Sequence, residues 1–439
     1  METKLARIAE IARTKPKEVF TSLYHYLNEE MLIQCHNELS ADKAAGVDEV
    51  TKEQYAKDLG ENIKSLVERL KKHSYKPQPV RRVYIPKDNG KERPLGIPAY
   101  EDKIVQLGLK KILERIYEAD FLDNSYGFRP GRSCHDAIIE LGERIMGKTS
   151  YIVDADIKGF FNNVSHEWII KFIGVRVADP NIKRLINKFL KAGVMEEGNI
   201  EQSEAGTPQG GVISPLLANI YLHYALDLWF EKAVKPRLRG EASLVRYADD
   251  FVCCFQYKEE AERFCATLKE RLAKFELEIA ENKSKIIEFG RFAAGNRQAK
   301  GLSKPETFDF LGFTHYCSQT RNGKFTVKRK TSRKKFKAKV KAFATWIKRV
   351  RDQENIRVIF ETVKSKLQGH YNYYGISDNY RMIAKYYNRV IELIFKWLNR
   401  RSQRKSFSWD KFNLYLKQNP LPRPKIKRNL WVSGRISVR

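Results

Sequence analysis

Apolar positions along the first third of the chain recur mostly at helical spacing. Leu5, Ile8, Ile11 and Ala12 fall on one face, Leu23, Tyr26 and Leu27 follow, and residues 1–35 read as helical. A turn-rich joint, Ala41–Thr51, precedes an amphipathic helix over Leu59–Leu70. Val80–Pro98 changes to strand, turn, strand, with Asp88-Asn89-Gly90 as the turn. A long helix is expected over Tyr100–Ala119, where Ile104, Leu107, Leu109, Ile112 and Leu113 supply the apolar face. Beyond it, "SYGFRPGRSCHDAIIEL" reads as loop then helix, "TSYIVDADIKGFF" as a strand, and "HEWIIKFI" and "LLANIYLHYALDLWFEKAV" as helices. "SLVRYADDFVCCF", Ser243–Phe255, reads as one strand buried on both faces, and "KEEAERFCATLKERLAKF" as the helix after it. "FDFLGFTHY" and a hairpin at Asn322-Gly323 lead into a basic helical region over 330–400, and the last nineteen residues are extended. No internal repeat is present.

Composition narrows the class. A chain of 439 residues with 42% hydrophobic and 12% aromatic content builds real cores, in about two to four domains by length. No apolar stretch approaches the ~18 residues of a membrane span, and the N-terminus has no apolar signal core. Six cysteines without C-x-x-C spacing read as reduced core thiols of a cytoplasmic protein and argue against zinc. The net charge of +29 is unevenly spread: residues 321–439 hold 33 Lys and Arg against 6 Asp and Glu, whereas residues 1–320 hold 49 against 47. A one-sided surplus of this size repels itself unless a polyanion is near, which points to nucleic acid ahead of an anionic membrane surface. Lys328, Arg329, Lys330, Arg333, Lys334 and Lys335 lie in its densest stretch, with Tyr316, Phe336 and Phe343 interleaved or flanking, and are candidate nucleic-acid contacts.

Candidate chemistry centres on acids in apolar strands. Asp249 and Asp250 lie within the Ser243–Phe255 run, and Asp156 ends the apolar strand before Gly159-Phe160-Phe161. Burying carboxylates is costly unless a cation holds them. If the two segments neighbour each other, three carboxylates converge. Hard oxygen donors of this kind suit Mg²⁺, commonly held by one or two carboxylates plus substrate phosphates. A pair of such ions activates an attacking hydroxyl and stabilises a leaving pyrophosphate.

These residues carry a family resemblance. Tyr247-Ala248-Asp249-Asp250 resembles the signature of reverse transcriptases, and "DIKGFF" (Asp156–Phe161) their other metal-binding motif. "GTPQGGVISPLLANIYLHYALD", "SYGFRPGRSCHDAI" and "RPLGIP" are similar to segments of the bacterial group II intron-encoded branch. "FDFLGF" resembles its primer grip, and "KLQGHYNYYGISDN" its maturase, or X, domain. The match covers most of the chain, in order.

The resemblance implies an α+β right-hand polymerase: fingers, a palm with an antiparallel sheet backed by helices, and an α-helical thumb. It places an N-terminal extension and first fingers segment at 1–60, fingers at 61–150, palm at 151–320, the basic thumb or X domain at 321–400 and a basic tail, a possible reduced DNA-binding region, at 401–439. Asp156, Asp249 and Asp250 become catalytic metal ligands for two Mg²⁺ ions, replaceable by Mn²⁺, and the Ile157 carbonyl joins them. Asp154 shares a face with Asp156 by alternation but lies outside the motif. Lys87 and Arg93 reach triphosphate oxygens, Gln209 contacts the incoming nucleotide, and Phe161 is the steric gate against a ribose 2′-hydroxyl. Lys283 lies near the departing pyrophosphate. The implied partners are intron RNA, RNA template with DNA primer, deoxynucleotides and target DNA. The zinc-binding endonuclease of many members is expected to be absent, since the cysteines stop at Cys317.

Two other readings stay open in the sequence. One is a non-enzymatic RNA-binding splicing factor that keeps only the fold, which the intact aspartates oppose. The other is a free-standing reverse transcriptase serving defence or repair.

Overall fold

The computed structural model describes residues 1–86, 92–196, 199–201, 206, 210–401 and 407–430, and for Lys283 the backbone alone. The chain forms two compact units, Met1–Glu288 and Phe289–Arg439. No helix among the described residues is long and apolar enough to cross a membrane, and all six cysteines are unpaired.

The first unit holds two four-stranded sheets. One has the order β2-β1-β4-β5, built from β1 (Val80–Pro86), β2 (Glu92–Ile97), β4 (Val194–Glu196) and β5 (Asn199–Glu201). β1 and β2 pair antiparallel from Arg81↔Ile97 to Pro86↔Glu92, as the hairpin signal implies; its Asp88–Gly90 turn lies outside the described residues. The other sheet is wholly antiparallel in the order β6-β7-β3-β8, from β3 (Tyr151–Asp156), β6 (Ala242–Tyr247), β7 (Asp250–Phe255) and β8 (Lys285–Glu288). Helices Cys134–Met146 and Lys258–Ala273 pack on it.

Helix boundaries follow local chemistry. The expected helix over 1–35 divides into Glu2–Thr14 and Glu29–Glu38, with Pro16 in the break and Asn28 capping the second helix through the Met31 amide. Ser133 and Asp136 form a reciprocal capping box at Cys134–Met146. Asp179 caps Pro180–Leu190 with one carboxylate oxygen, while the other accepts from the Leu23 and Tyr24 amides at 2.7 and 2.8 Å. The long helix runs over Tyr100–Tyr117, with Ile104, Leu109, Ile112 and Leu113 fully buried. The expected helix after Pro215 begins as Ser214–Leu222 and then widens into π turns at His223–Asp227 and Phe230–Val234.

One expectation is corrected. Ser243–Phe255 is not one strand but two, β6 and β7, paired from Ala242↔Phe255 to Tyr247↔Asp250. Ala248 and Asp249 form the two-residue turn, and Ala248 is left-handed at φ +57°. A straight strand buried on both faces would carry the two carboxylates into the core. The hairpin puts them at a tip.

The second unit has a three-stranded antiparallel sheet, β11-β10-β9, from β9 (Phe308–Phe310), β10 (Phe313–Gln319) and β11 (Phe325–Thr331). Helices Arg333–Val350, Ile356–Tyr374, Tyr380–Leu398 and Trp409–Gln418 complete it. The first unit closes at Glu288, and β10 pairs with β9 and β11 in the second. The basic helix starts at Arg333 rather than 330, so Lys328, Arg329 and Lys330 are strand residues.

Candidate active site

Strand register brings the predicted acids together. β3 pairs with β7 so that Asp156 stands directly opposite Asp250, and Asp249 occupies the adjoining turn. Directly opposed residues have Cβ atoms about 4.5–5.5 Å apart. Asp156 and Asp249, 93 positions apart in sequence, are therefore close neighbours. Burial pushes the Asp249 carboxyl above its ordinary range, and the Asp156 charge pushes it the same way. Its own backbone amide, Arg93 and Arg246 pull in the opposite direction. That pull places the Arg93 guanidinium, exposed on β2, within electrostatic reach of the turn.

Beyond Asp156 the chain stays pinned. The Ala280 amide donates to the Asp156 carbonyl and the Lys158 amide to the Glu278 carbonyl, both at 2.8 Å. Ile157 sits between these bonds, and neither uses its carbonyl. Gly159, left-handed at φ +55°, turns the chain into the short helix Phe160–Asn163. Phe160 is buried, and Phe161 is half-buried with its ring 5.4 Å from that of Phe160. The Gly206 amide donates to the Val164 carbonyl at 2.8 Å, and the Gly206 carbonyl lies 2.6 Å from His166 Nε2. Gly206 is thus tied next to Phe161, whose carbonyl oxygen would lie 2.9 Å from a Cβ at that glycine. Gly210 lies so close to β2 that a Cβ there would be 2.6 Å from the Gly96 carbonyl oxygen, and its φ of +119° also demands glycine. Lys87 and Gln209 lie outside the described residues, as does the side chain of Lys283.

The hairpin tip is held by residues that the sequence reading passed over. Arg246 is fully buried and uses all five guanidinium hydrogens. Nε and Nη2 donate to the two Asp227 oxygens at 2.8 and 2.5 Å, Nη1 to Asn219 Oδ1 at 3.0 Å and the Ala248 carbonyl at 2.9 Å, and Nη2 also to Ser125 Oγ at 2.8 Å. The bond to Ala248 holds a non-glycine residue in a conformation that costs about 1–2 kcal/mol. Asn219 passes the restraint on, donating to the Gly127 carbonyl at 2.6 Å. Gly127 rests on the turn itself: any Cβ there would collide with the Ala248 amide nitrogen. A signal was present in the sequence, since an arginine inside an apolar strand requires a buried carboxylate. Asp227, inside an apolar helix, is the matching oddity.

The donor set fits a hard divalent cation. Among the described residues no three acid, histidine or cysteine side chains close around an ion by themselves. Mg²⁺ does not need that, because it is usually held by one or two carboxylates together with substrate phosphates. Three neighbouring carboxylates, one of them raised by burial and by like charge, would supply such a half-site.

In the second unit the basic cluster divides. Arg329 is buried and pairs with the buried Asp378 carboxylate at 3.7 Å. Lys328 is half-buried and donates to the Gln319 carbonyl at 3.3 Å, while Lys330 is exposed with its ammonium 5.3 Å from the Tyr316 ring centre. Arg333 and Lys334 are exposed, and Lys335 is half-exposed, on the helix that follows. Arg329 therefore belongs to the fold of this unit rather than to its surface.

Known proteins resemble this chain over much of its length. The model of the reverse transcriptase (RNA-dependent DNA polymerase) family matches residues 85–315. The group II intron-encoded protein LtrA of Lactococcus lactis subsp. cremoris is 31% identical over 453 aligned positions, spanning 86% of this chain and 74% of its own. Protein YkfC of Escherichia coli is 35% identical over 292 positions, 59% of this chain and 77% of its own. Nuclear intron maturase 2 of Arabidopsis thaliana is 28% identical over 183 positions, 33% of this chain and 25% of its own. With paired strands carrying the aspartates and a likeness that spans most of both chains, this protein belongs to the reverse transcriptases, in their group II intron-encoded branch.

Proposed function

We propose that this RNA-directed DNA polymerase carries its chemistry on Asp156, Asp249 and Asp250, and that it binds group II intron RNA to assist splicing and mobility. The observation that supports the assignment is the β3–β7 register, with Asp156 opposite Asp250 and Asp249 raised by burial and, in smaller part, by the charge of Asp156. The three carboxylates and the Ile157 carbonyl would hold two Mg²⁺ ions, with Mn²⁺ as a substitute. The chemistry supplied by such ions when bound is activation of the primer 3′-hydroxyl and charge stabilisation on the leaving pyrophosphate.

The chain's own residues do the rest. Arg93, whose charge already reaches Asp249, offers a planar fork to triphosphate oxygens, and Lys87 adds a point charge. Gln209 contacts the incoming nucleotide, and the Phe161 ring occupies the space of a ribose 2′-hydroxyl, favouring deoxynucleotides. Lys283 is assigned to the departing pyrophosphate by its motif alone. In right-hand terms the β6-β7-β3-β8 sheet is the palm, the β1–β2 hairpin belongs to the fingers, and the basic helices of the second unit form the thumb. The basic tail is assigned to target DNA.

The test is primer extension on an RNA template. Asp250→Asn removes a ligand charge with little change of shape, and extension should fall by at least a hundredfold in a chain that still folds. Near-wild-type extension would remove Asp250 from the site.

A further inference from the structure

The near-neutral balance of residues 1–320 hides a local surplus in the first unit. Helix Pro180–Leu190 contains no Asp or Glu between its N-terminal cap, Asp179, and its end. Its apolar face, Ile182, Leu185, Ile186, Phe189 and Leu190, is buried. The opposite face carries Lys183, Arg184, Asn187 and Lys188, and Lys191 follows at the C-cap. At a rise of 1.5 Å per residue, Lys183 to Lys191 spans about 12 Å.

These bases have separate tasks. Lys188 is committed to the fold, donating to the His73 and Tyr75 carbonyls at 3.0 and 2.6 Å. Lys183, Arg184 and Lys191 pair with no carboxylate among the described residues. They instead border a groove of about 840 Å³ that the helix His166–Gly174 closes on its other side. Of the two acids at this groove, Glu167 is already paired with Lys171 at 2.6 Å, which leaves Glu276. The groove also includes His166, which holds Gly206 beside Phe161. The groove presents ammonium, guanidinium and amide groups from Lys183, Arg184, Lys191 and Asn187 along an apolar floor that includes Ile170 and Pro180.

We propose that this groove is a second RNA-backbone site, in which Lys183, Arg184 and Lys191 contact phosphates of a single strand independently of the basic second unit. The inference rests on the RNA binding already assigned to this protein and adds a location to it. A strand here lies beside the segment that ties Gly206 to Phe161, so the groove extends RNA contact from the polymerase site along the surface of the first unit.

The experiment replaces Lys183, Arg184 and Lys191 together by Gln in the full chain. Binding of a single-stranded RNA is then measured across several salt concentrations. Each lost phosphate contact flattens the slope of log K against log salt by about 0.7, so the triple variant should be flatter by about 2. A control variant replaces Lys57, Lys64 and Lys71, three exposed lysines, by Gln, and should leave the slope near that of the wild type. All three sites in each variant are at the surface, and a melting curve checks the fold. An unchanged slope in the groove variant overturns the proposal, as does an equal flattening in the control, which would mean bulk charge. Weakened binding of polyglutamate with unchanged RNA binding would assign the groove to an acidic protein and also overturns it. Wild-type primer extension and RNA binding, measured alongside, report on the polymerase reading separately.

Discussion

At the scale of single residues, the site is governed by repulsion and space. Asp249 is raised by burial and by Asp156. A carboxyl whose folded pKa exceeds its unfolded value contributes stability below the unfolded value and loses it as pH rises through the folded one. Without divalent cations, Asp249→Asn should therefore melt at or above the wild type near neutral pH, and the difference should vanish in acid, where both side chains are neutral. Melting curves from pH 4 to 8 in a chelator decide this; a variant that melts lower at pH 7.5 would mean that Asp249 has a favourable partner. Phe161 is half-buried beside the fully packed Phe160, which leaves part of its ring for a ligand. Phe161→Val should raise the ratio of ribonucleotide to deoxynucleotide efficiency by at least tenfold. An unchanged ratio assigns Phe161 to packing.

At the scale of elements, the decisive feature is a hairpin clamped from inside. Arg246 on β6 pairs with Asp227 on a π turn and holds the Ala248 carbonyl of the Ala248–Asp249 turn. Removing one member of a buried pair costs about 3–5 kcal/mol, whereas replacing both by apolar residues is often neutral. Arg246→Met should thus destabilise the first unit strongly. Arg246→Met combined with Asp227→Leu should regain most of that stability but not primer extension, because nothing then fixes the Ala248 carbonyl. Full recovery of both in the double variant would reduce the pair to packing. The π turn at His223–Asp227 is the local irregularity expected at such a position, since these widened turns occur often at functional sites.

At the scale of the whole molecule, charge and chemistry are separable. The second unit and tail carry nearly all the net charge, while the aspartates lie in the first unit. Neutralising Lys328, Lys330, Arg333, Lys334 and Lys335 should flatten the salt dependence of RNA binding by up to about 3.5, at 0.7 per contact. Arg329 is left out because it holds Asp378. Asp250→Asn should leave both RNA binding and splicing assistance in place, since a scaffold does not need an activated hydroxyl. Binding isotherms and a splicing assay with the cognate intron check both arms; loss of splicing in Asp250→Asn would tie the two functions to one site.

The sequence by itself determined what depends on neighbours along the chain. The helical faces, the β1–β2 hairpin, the three aspartates and the basic second unit follow from periodicity, turn chemistry, motif and charge count, each set within a few residues or by a sum. Only the tertiary structure decided what depends on partners far apart. The break at Asp249 follows from pairing that sets Asp156 against Asp250. Arg329 is legible as one more base in a basic run until Asp378, 49 positions later, meets it in the interior. Arg246 needs Asn219 and Asp227 from one helical segment and Ser125 from a separate part of the chain to satisfy its guanidinium. The groove beside Lys183 disappears in a charge total that sums +2 over residues 1–320. In each case the physical reason is the same. Burial and electrostatic pairing are set by distance in space, and a linear pattern records distance only along the chain.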